Sequence, residues 1–192
     1  AQQVKQTVIV SYGEEKPKDA VSRKLRPVAG ELGEIDPAAI LEFSRNKVFD
    51  YQVLEASSCL VEMDEEPPHE VNSEALDIVL ELSLLLNCDI VDEIHVMRKT
   101  VIDGSNTAGF QRTMLVGHSG LLDTPYGKIP ITGVYLEEEA AGIVQEKDGT
   151  KVYRLDRLGI PLTEISTGIM EIEPKEVKDI ALRLGTLLRV TG

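Results

Sequence analysis

Hydrophobic and polar positions alternate through the second half of the chain, in short runs that are separated by turn residues. Asp148–Gly149 is the strongest hairpin signal, and Ser119–Gly120 and Tyr126–Gly127 predict two further hairpin turns. The pattern predicts strands over seven segments: Asp89–Ile102, Thr113–Val116, Leu121–Asp123, Ile129–Leu136, Gly142–Glu146, Val152–Leu155 and Leu162–Ser166.

The first half of the chain combines extended segments with one short helix. Val4–Val10, Lys47–Val53 and Cys59–Asp64 are typical of strands, because apolar residues recur in them without helical spacing. Asp36 and Pro37 supply the N-cap and the first position of the helix. The apolar residues of this helix, which we expect to face the core, are Ile40, Leu41 and Phe43.

Two longer helices are predicted from apolar residues that lie three and four positions apart. The first begins at Asn72 or Ser73, ends at Asn87, and keeps one face with Leu76, Val79, Leu80, Ser83 and Leu86. Further leucines make this helix apolar nearly all round, so we expect it to be buried. The second begins at Pro174, and its repeating positions are Val177, Ile180, Ala181, Leu184 and Leu188.

These elements predict an α+β fold of two layers, in which helices pack on a mostly antiparallel sheet. A length of 192 residues suits one domain with its own core, or one domain and an appendage. No apolar run approaches the roughly 18 residues that a membrane-spanning helix needs, and no signal peptide is visible. We therefore expect a cytoplasmic protein with no membrane partner.

The net charge limits the classes of partner. The chain has 33 Asp and Glu against 20 Lys and Arg, which gives a formal charge of −13. Nucleic-acid affinity comes mainly from Lys and Arg contacts with phosphates, so the chain alone is predicted to bind nucleic acid poorly. The two cysteines, Cys59 and Cys88, and the three histidines lie too far apart for a zinc module, and we expect buried thiols.

Three glutamates, Glu137 to Glu139, follow the apolar strand that ends at Leu136. Runs of charge are usually solvated faces. The functional alternative is that strand alternation sends Glu138 to one face and its two neighbours to the other. A carboxylate at the end of a buried strand is a common Mg2+ ligand, with water and phosphate completing the coordination.

The segment Arg98–Arg112 combines basic residues, glycines and amide side chains in one turn. Backbone N–H groups of a glycine-rich turn can bind an anion, and a nearby Lys or Arg balances phosphate charge. A hairpin with a polar loop is the equally weighted structural interpretation. The sequence has no P-loop motif and no evident nucleophile with a histidine partner.

Four separated motifs resemble the GatE subunit of the archaeal glutamyl-tRNA(Gln) amidotransferases and its bacterial relative GatB. The motifs are Asp64–His69, Arg98–Thr113, Leu136–Ala140 and Arg154–Ile165, and the stretch Leu25–Gly33 also fits. The resemblance covers residues 23–192, which makes residues 1–22 a divergent N-terminal strand and loop. It implies part of a cradle domain of the glutamine-synthetase-like α+β type.

The resemblance also implies a ligase that forms a carbon–nitrogen bond in two steps. ATP phosphorylates the γ-carboxylate of glutamate attached to tRNA(Gln), and ammonia then displaces phosphate to leave glutaminyl-tRNA(Gln). The implied cofactors are ATP and Mg2+. A GatD-type asparaginase subunit is the implied source of ammonia, and a homodimer within a heterotetramer is the implied assembly.

Residue roles follow from matching positions in the motifs. The implied catalytic residues are Glu137, Glu138, Lys99 and Arg98, and the implied metal ligands are Glu138 and Glu137. The implied ATP-binding residues are Ser105, Gln111, Arg112, Arg157 and Glu164, although structural salt bridges are the alternative around Arg157. We further expect Lys99 and Glu138 to share one face of one sheet, near a common opening.

The chain departs from the family pattern at two points. A Gly-Leu-Glu-Ile-His strand that resembles a metal-binding element has no counterpart in residues 1–21, and Glu139 replaces the usual Asp. We therefore expect the isolated chain to be inactive and tRNA to be held mainly by other domains. The alternative functions are a non-catalytic module or paralogue that binds the GatD-type subunit, and a free-standing phosphotransferase acting on a small carboxylate.

Overall fold

A computed structural model describes residues 16–30, 32–147 and 150–191, and within them the chain has an α+β fold. The described elements, in chain order, are β1 (Asp19–Lys24), α1 (Pro37–Ser44), β2 (Val48–Val53), α2 (Ser73–Leu85), β3 (Asp89–Ile90), β4 (Met97–Thr100), β5 (Phe110–Thr124), β6 (Gly127–Glu138), β7 (Gly142–Lys147), β8 (Thr150–Arg154), β9 (Pro161–Thr167) and α3 (Pro174–Val190). The predicted fold class is confirmed. The strand predicted at Val4–Val10 lies outside the described residues.

The chain divides into two compact units. The first takes in the described residues up to Val71, together with Met97–Thr113 and Glu138–Leu162. The second takes in Asn72–Val96, Met114–Glu137 and the described residues from Thr163 onwards. The boundary predicted after residue 22 falls within β1, which pairs with β2 along its whole length.

A four-stranded sheet with the order β1-β2-β8-β7 carries the core of the first unit. Its pairs are antiparallel except β2–β8, which is parallel. The turn predicted at Asp148–Gly149 lies outside the described residues, but β7 and β8 on either side of it pair as expected. The buried core residues of this unit are Leu25, Phe49, Tyr51, Ala141, Tyr153, Leu155 and Leu158.

Helix α1 begins where the sequence predicts. The Asp36 carboxylate accepts a hydrogen bond from the Ala38 backbone N–H (2.7 Å), and Pro37 occupies the first turn. The predicted core face of α1 is wrong, because Ala39 is buried whereas Ile40, Leu41 and Phe43 are each about half exposed. Eight residues make little more than two turns, so one narrow face is all that such a helix buries.

The segment Cys59–Asp64 forms tight turns, and the strand predicted there is wrong. The Glu62 carboxylate folds back to accept a hydrogen bond from the Cys59 N–H (2.8 Å). Asp64 takes a left-handed φ of 58°, and its N–H donates to the carbonyl of Val61. A side chain that satisfies backbone donors locally competes with strand pairing, which the apolar pattern does not reveal.

The second sheet has the order β3-β5-β6-β9, and β4 pairs with the start of β5. The predicted strand Asp89–Ile102 is wrong in length, since it forms the two short strands β3 and β4. The turn predicted next to Gly127 is confirmed, because β5 and β6 are neighbours on either side of it.

Ser119–Gly120 does not form the predicted hairpin, and β5 continues through both residues. Ser119 takes a left-handed φ of 55°. A Cβ at Gly120 would lie 2.4 Å from Cys88 Sγ and 2.7 Å from the Leu86 carbonyl oxygen. Glycine therefore permits a close approach to the end of α2 at this point, and the dipeptide is a local irregularity of the strand and not a chain reversal.

Helix α2 is capped by Asn72, whose side chain accepts from the Ala75 N–H (2.8 Å), as predicted. Its predicted face is confirmed: Val79, Ser83 and Leu86 are buried. The expected burial all round is wrong, because Ile78, Leu84 and Leu85 are exposed. Helix α3 also forms as predicted, with Ile180 buried, and no described helix is long and apolar enough to cross a membrane.

Tyr51 and Tyr153 form the centre of the first core. They are partners in the parallel pair β2–β8, and their rings stack with centroids 5.7 Å apart. The Tyr51 hydroxyl donates to the carbonyl of Gly104 (2.6 Å), and the Tyr153 hydroxyl donates to the carbonyl of Asp103 (2.7 Å). Burial is the main cause that raises the pKa of both phenols above the ordinary value near 10.

We expect the chain to lose stability above about pH 10 because of these phenols. Below the unfolded pKa, both states keep the proton and the stabilising contribution is complete. As the pH rises further, the unfolded chain ionises first, so stability is lost until the pH passes the folded pKa. Tyr51 alone contributes a slope of about 1.4 kcal/mol per pH unit in this window. Urea unfolding from about pH 9 to about pH 11 checks the prediction, and equal slopes for wild type and Tyr51→Phe would contradict it.

Candidate functional site

The loop Asp103–Gly109 joins β4 to β5 and contains the glycines of the Arg98–Arg112 segment. Gly104 and Gly109 both take left-handed φ values, 84° and 77°. A Cβ at Gly104 would lie 2.5 Å from ring atoms of Phe49, so the loop packs against the core as closely as a glycine allows. The loop position is therefore set by the core of the first unit.

Hydrogen bonds hold the same loop from several sides. The Ala141 N–H donates to the Ser105 carbonyl (2.8 Å), and Thr107 Oγ1 donates to the Glu62 carbonyl (2.7 Å). The backbone N–H groups of Ser105, Ala108 and Gly109 all bond within the loop, to the side chain of Asp103 and to the side chain and carbonyl of Asn106. These three N–H groups are thus already engaged and do not form the anion-binding turn that the sequence suggests.

A mostly buried ion pair connects the start of β5 with the end of β6. Arg112 donates to Glu138 Oε1 from Nε (3.0 Å) and from Nη2 (2.5 Å), and Nη1 donates to the His69 carbonyl (2.6 Å). The two side chains are 10% and 12% exposed. Because each charge has left most of its water, the pairing fixes the position of both groups.

Gln111 also contacts Glu138. Its Nε2 donates to the Glu138 backbone carbonyl (2.7 Å). Successive strand residues point to opposite faces, so the side chains of Gln111 and Arg112 reach Glu138 from the two faces of the sheet. The predicted metal ligand Glu138 is therefore held by backbone and side chain together, and the role of Gln111 in binding ATP stays a prediction.

The pairing of β4 with β5 decides which basic residue shares the face of Arg112. Arg98 lies opposite Arg112, and Lys99 lies opposite Gln111. Directly opposed residues of an antiparallel pair have side chains on one face. Arg98 therefore lies on the face of Arg112, with its Cζ 6.0 Å from the ring centroid of Phe110. Lys99 lies on the other face, contrary to the expected shared face of Lys99 and Glu138.

Glu139 is tied to the segment that follows β8. Arg157 Nη2 donates to its carboxylate (2.9 Å), and the Glu139 backbone exchanges hydrogen bonds with Gly159 and Ile160. Arg154 likewise pairs with Asp156 (3.0 Å). These contacts agree with the structural salt bridges that the sequence suggests around Arg157.

Two of the predicted site residues, Glu137 and Glu164, belong to the second unit. Glu137 is 4% exposed, and strand alternation directs it to the face of β6 opposite Glu138. Glu164 lies in β9, where its carboxylate accepts a hydrogen bond from the Ser166 hydroxyl (3.4 Å). The described structure therefore places the Glu137 and Glu138 carboxylates on different faces of one strand.

A small cavity of about 40 Å3 lies beside the Arg112–Glu138 pair, within the first unit. Its other walls include Asn106–Ala108, Phe110 and His69. The volume suits one or two water molecules or a small polar group. A larger cavity of about 400 Å3 shares Phe110 and Ala108 with it and has the acidic turn Asp64–Glu66 as its rim. That volume is in the range of small-molecule pockets.

Two arginines partly neutralise the acidic turn. Arg26 Nη1 lies 3.4 Å from Asp64 Oδ2, and Arg23 forms an ion pair with Glu65. Burial nevertheless raises the pKa of the Asp64 carboxyl, although both arginines act in the opposite direction. The turn is thus held against β1 and the residues that follow it.

The sequence reasoning missed Glu62. This residue is 2% exposed, lines the small cavity, and bonds to Cys59 through its carboxylate and to Thr107 through its carbonyl. One acidic residue between Val61 and Met63 is the available signal, since an isolated charge in an apolar run needs a buried partner. Glu62 connects the two walls of the cavity.

The described residues contain no group of three or more His, Cys, Asp or Glu side chains that could hold a metal ion. The Glu138 carboxylate still fits a common arrangement, in which Mg2+ takes one or two carboxylates and completes its shell with water and substrate phosphates. Glu137 does not fit the same site, because alternation directs it to the other face.

Comparison with known proteins gives a consistent result. Residues 39–192 match the GatB/GatE catalytic domain family. The chain is similar to the GatE-type subunit of the glutamyl-tRNA(Gln) amidotransferase of Methanococcus vannielii, with 52% identity over 93% of this chain and 28% of that one. The corresponding subunits of Aeropyrum pernix and Methanopyrus kandleri are 50% and 53% identical, over 94% and 93% of this chain and 28% of each relative. The chain thus spans little more than a quarter of the length of these relatives.

Proposed function

Since the chain belongs to the GatB/GatE catalytic domain family, we propose that it contributes part of the catalytic centre of an ATP-dependent glutamyl-tRNA(Gln) amidotransferase. The relatives that carry this name match nearly the whole chain. The observation that carries the proposal is the buried Arg112–Glu138 pair beside a cavity whose walls come from the family-like motifs. By itself, the chain is proposed to be inactive.

The proposed reaction makes an amide from a carboxylate, which is a poor electrophile. An oxygen of the γ-carboxylate of tRNA-bound glutamate attacks the γ-phosphorus of ATP, and the bond from phosphorus to the ADP oxygen breaks. Ammonia then attacks the acyl carbon, its extra proton passes to a base, and phosphate leaves with the electrons of the carbon–oxygen bond. Glutaminyl-tRNA(Gln), ADP and phosphate are the products.

The residues of the first unit supply positioned charge for such a step. Arg112 is fixed by three hydrogen bonds, so its guanidinium needs no reorganisation when charge moves nearby. Arg98 is exposed on the same face and is available for a phosphate group. In this proposal Glu138 holds Mg2+, which supplies Lewis-acid stabilisation of phosphate charge when bound.

The partners follow from the same family assignment and are part of the proposal. A GatD-type asparaginase subunit supplies ammonia, and the longer subunit contacts Glu-tRNA(Gln) mainly through other domains. A homodimer within a heterotetramer is the proposed assembly, and the cytoplasm is the proposed location. The formal charge of −13 supports a minor role of this chain in holding tRNA.

Glu138→Gln in the subunit that contains this chain is expected to lower glutaminyl-tRNA(Gln) formation by at least about 100-fold, because the substitution removes a charge from the centre. The matched control is Glu55→Gln, which removes an ion-paired carboxylate from an exposed site next to Lys18 and is expected to leave the rate unchanged. Amidation by the Glu138→Gln enzyme at the wild-type rate would overturn the proposal and favour the non-catalytic interaction module.

A further inference from the structure

Two tyrosine hydroxyls bond to consecutive carbonyls of one loop. Tyr153 donates to Asp103 O (2.7 Å) and Tyr51 donates to Gly104 O (2.6 Å). Both residues are fully buried side chains of the first unit. Their hydroxyls therefore reach out of the core at the point where the loop Asp103–Gly109 begins.

The rings alone do not require these hydroxyls. Phe49, from the same strand as Tyr51, packs edge-on against Tyr153 with centroids 6.1 Å apart, and phenylalanine fills such positions without a polar atom. A buried hydroxyl without a partner is costly, so tyrosine is favourable here only while the two carbonyls are in reach. The hydrogen bonds to the loop are thus what distinguishes tyrosine from phenylalanine at both positions.

The tyrosine-bound end of the loop is directly followed by the wall of the small cavity. Asn106, Thr107 and Ala108 line that cavity together with Arg112 and Glu138. Ser105, between the two parts, is held through its carbonyl by the Ala141 N–H (2.8 Å). A displacement of Asp103 or Gly104 would therefore move the residues that face the ion pair.

We propose that Tyr51 and Tyr153 are positioning residues, whose hydroxyls fix the loop Asp103–Gly109 so that it forms the cavity wall beside Arg112 and Glu138. They act through the loop and do not touch the cavity themselves. The inference rests on the proposed function for its kinetic consequence, since a small misplacement of groups around a reaction centre costs up to about 100-fold in rate. Its structural consequence is independent of any activity.

The test uses Tyr51→Phe and Tyr153→Phe in the complete subunit within its complex. The control is Tyr126→Phe, which also removes a tyrosine hydroxyl bond, to Asp179, but at the surface of the second unit. Hydrogen exchange followed by mass spectrometry reports the Gly109 and Ala141 amides, which bond to Asn106 O and Ser105 O. The second readout is the separation of kcat from KM in the amidation assay.

We expect exchange in the loop to rise about tenfold or more in both core variants, while β1 and β2 keep their protection. We expect kcat to fall about tenfold with KM for ATP nearly unchanged, and Tyr126→Phe to change neither readout. Unchanged loop exchange, or loss of protection throughout the first unit, would overturn the inference, because the hydroxyls would then be dispensable or would support the whole fold. If exchange rises while Glu138→Gln keeps its activity, the proposed function fails and the positioning role stands.

Discussion

Arg112→Met is expected to lower the free energy of unfolding of this chain by about 3–5 kcal/mol, because it breaks a buried ion pair from one side. Methionine keeps much of the length of the side chain, so packing is largely preserved. The Glu138 carboxylate, 12% exposed, loses both guanidinium donors, and the His69 carbonyl loses its donor as well. Urea unfolding followed by circular dichroism measures the loss.

Arg157→Met is the matched control. Arg157 also pairs with a carboxylate, that of Glu139 (2.9 Å), but the two side chains are 53% and 26% exposed. Water screens such a pair, so the expected loss is about 1 kcal/mol or less. Equal losses for the two variants would show that the Arg112–Glu138 pair is not the constraint that the geometry indicates.

Gly104→Ala is expected to cost about 2–4 kcal/mol, the second largest effect. A left-handed residue with a Cβ is strained by roughly 1–2 kcal/mol. The added Cβ would also lie 2.5 Å from the Phe49 ring, and overpacking of a core typically adds about 1–3 kcal/mol. Since the ring belongs to the core cluster, it has little room to yield.

Gly33→Ala separates the two causes. Gly33 has nearly the same φ as Gly104, 80° against 84°, and a Cβ there would meet nothing within 4 Å. This variant is expected to show the conformational strain alone. If both variants lose the same free energy of unfolding in urea titrations, the contact between Gly104 and Phe49 contributes nothing.

The elements that the sequence predicts correctly are those with a local chemical signal. Asp36 and Asn72 each cap a helix because their side chains accept bonds from N–H groups two or three residues ahead. The segments that fail depend on distant partners. Ser119–Gly120 has the composition of a turn, but the close approach of Cys88 determines its structure. Glu62 has a strand-like place in the sequence, but its carboxylate folds back on Cys59.

The candidate site was predictable in its residues but not in its pairing. The motifs identify Glu138, Arg112 and the Arg98-Lys99 pair, because carboxylates and basic groups are what phosphoryl chemistry needs. Which of the two basic residues faces Arg112 depends on the register of β4 against β5, and a shift of one residue inverts every side chain. Local sequence carries no information on that register, so the expectation that Lys99 shares a face with Glu138 was wrong.

The most direct measurement for the proposed centre is the release of ADP without an ammonia donor, by the complete subunit in its complex. Carboxylate phosphorylation is then the sole step available, and it should depend on Glu-tRNA(Gln). We predict that wild type and Glu55→Gln release ADP at equal rates and that Glu138→Gln is slower by at least about 100-fold. Release of ADP by Glu138→Gln at the wild-type rate, or release that does not depend on Glu-tRNA(Gln), would contradict the assignment of phosphoryl transfer to the Arg112–Glu138 cavity.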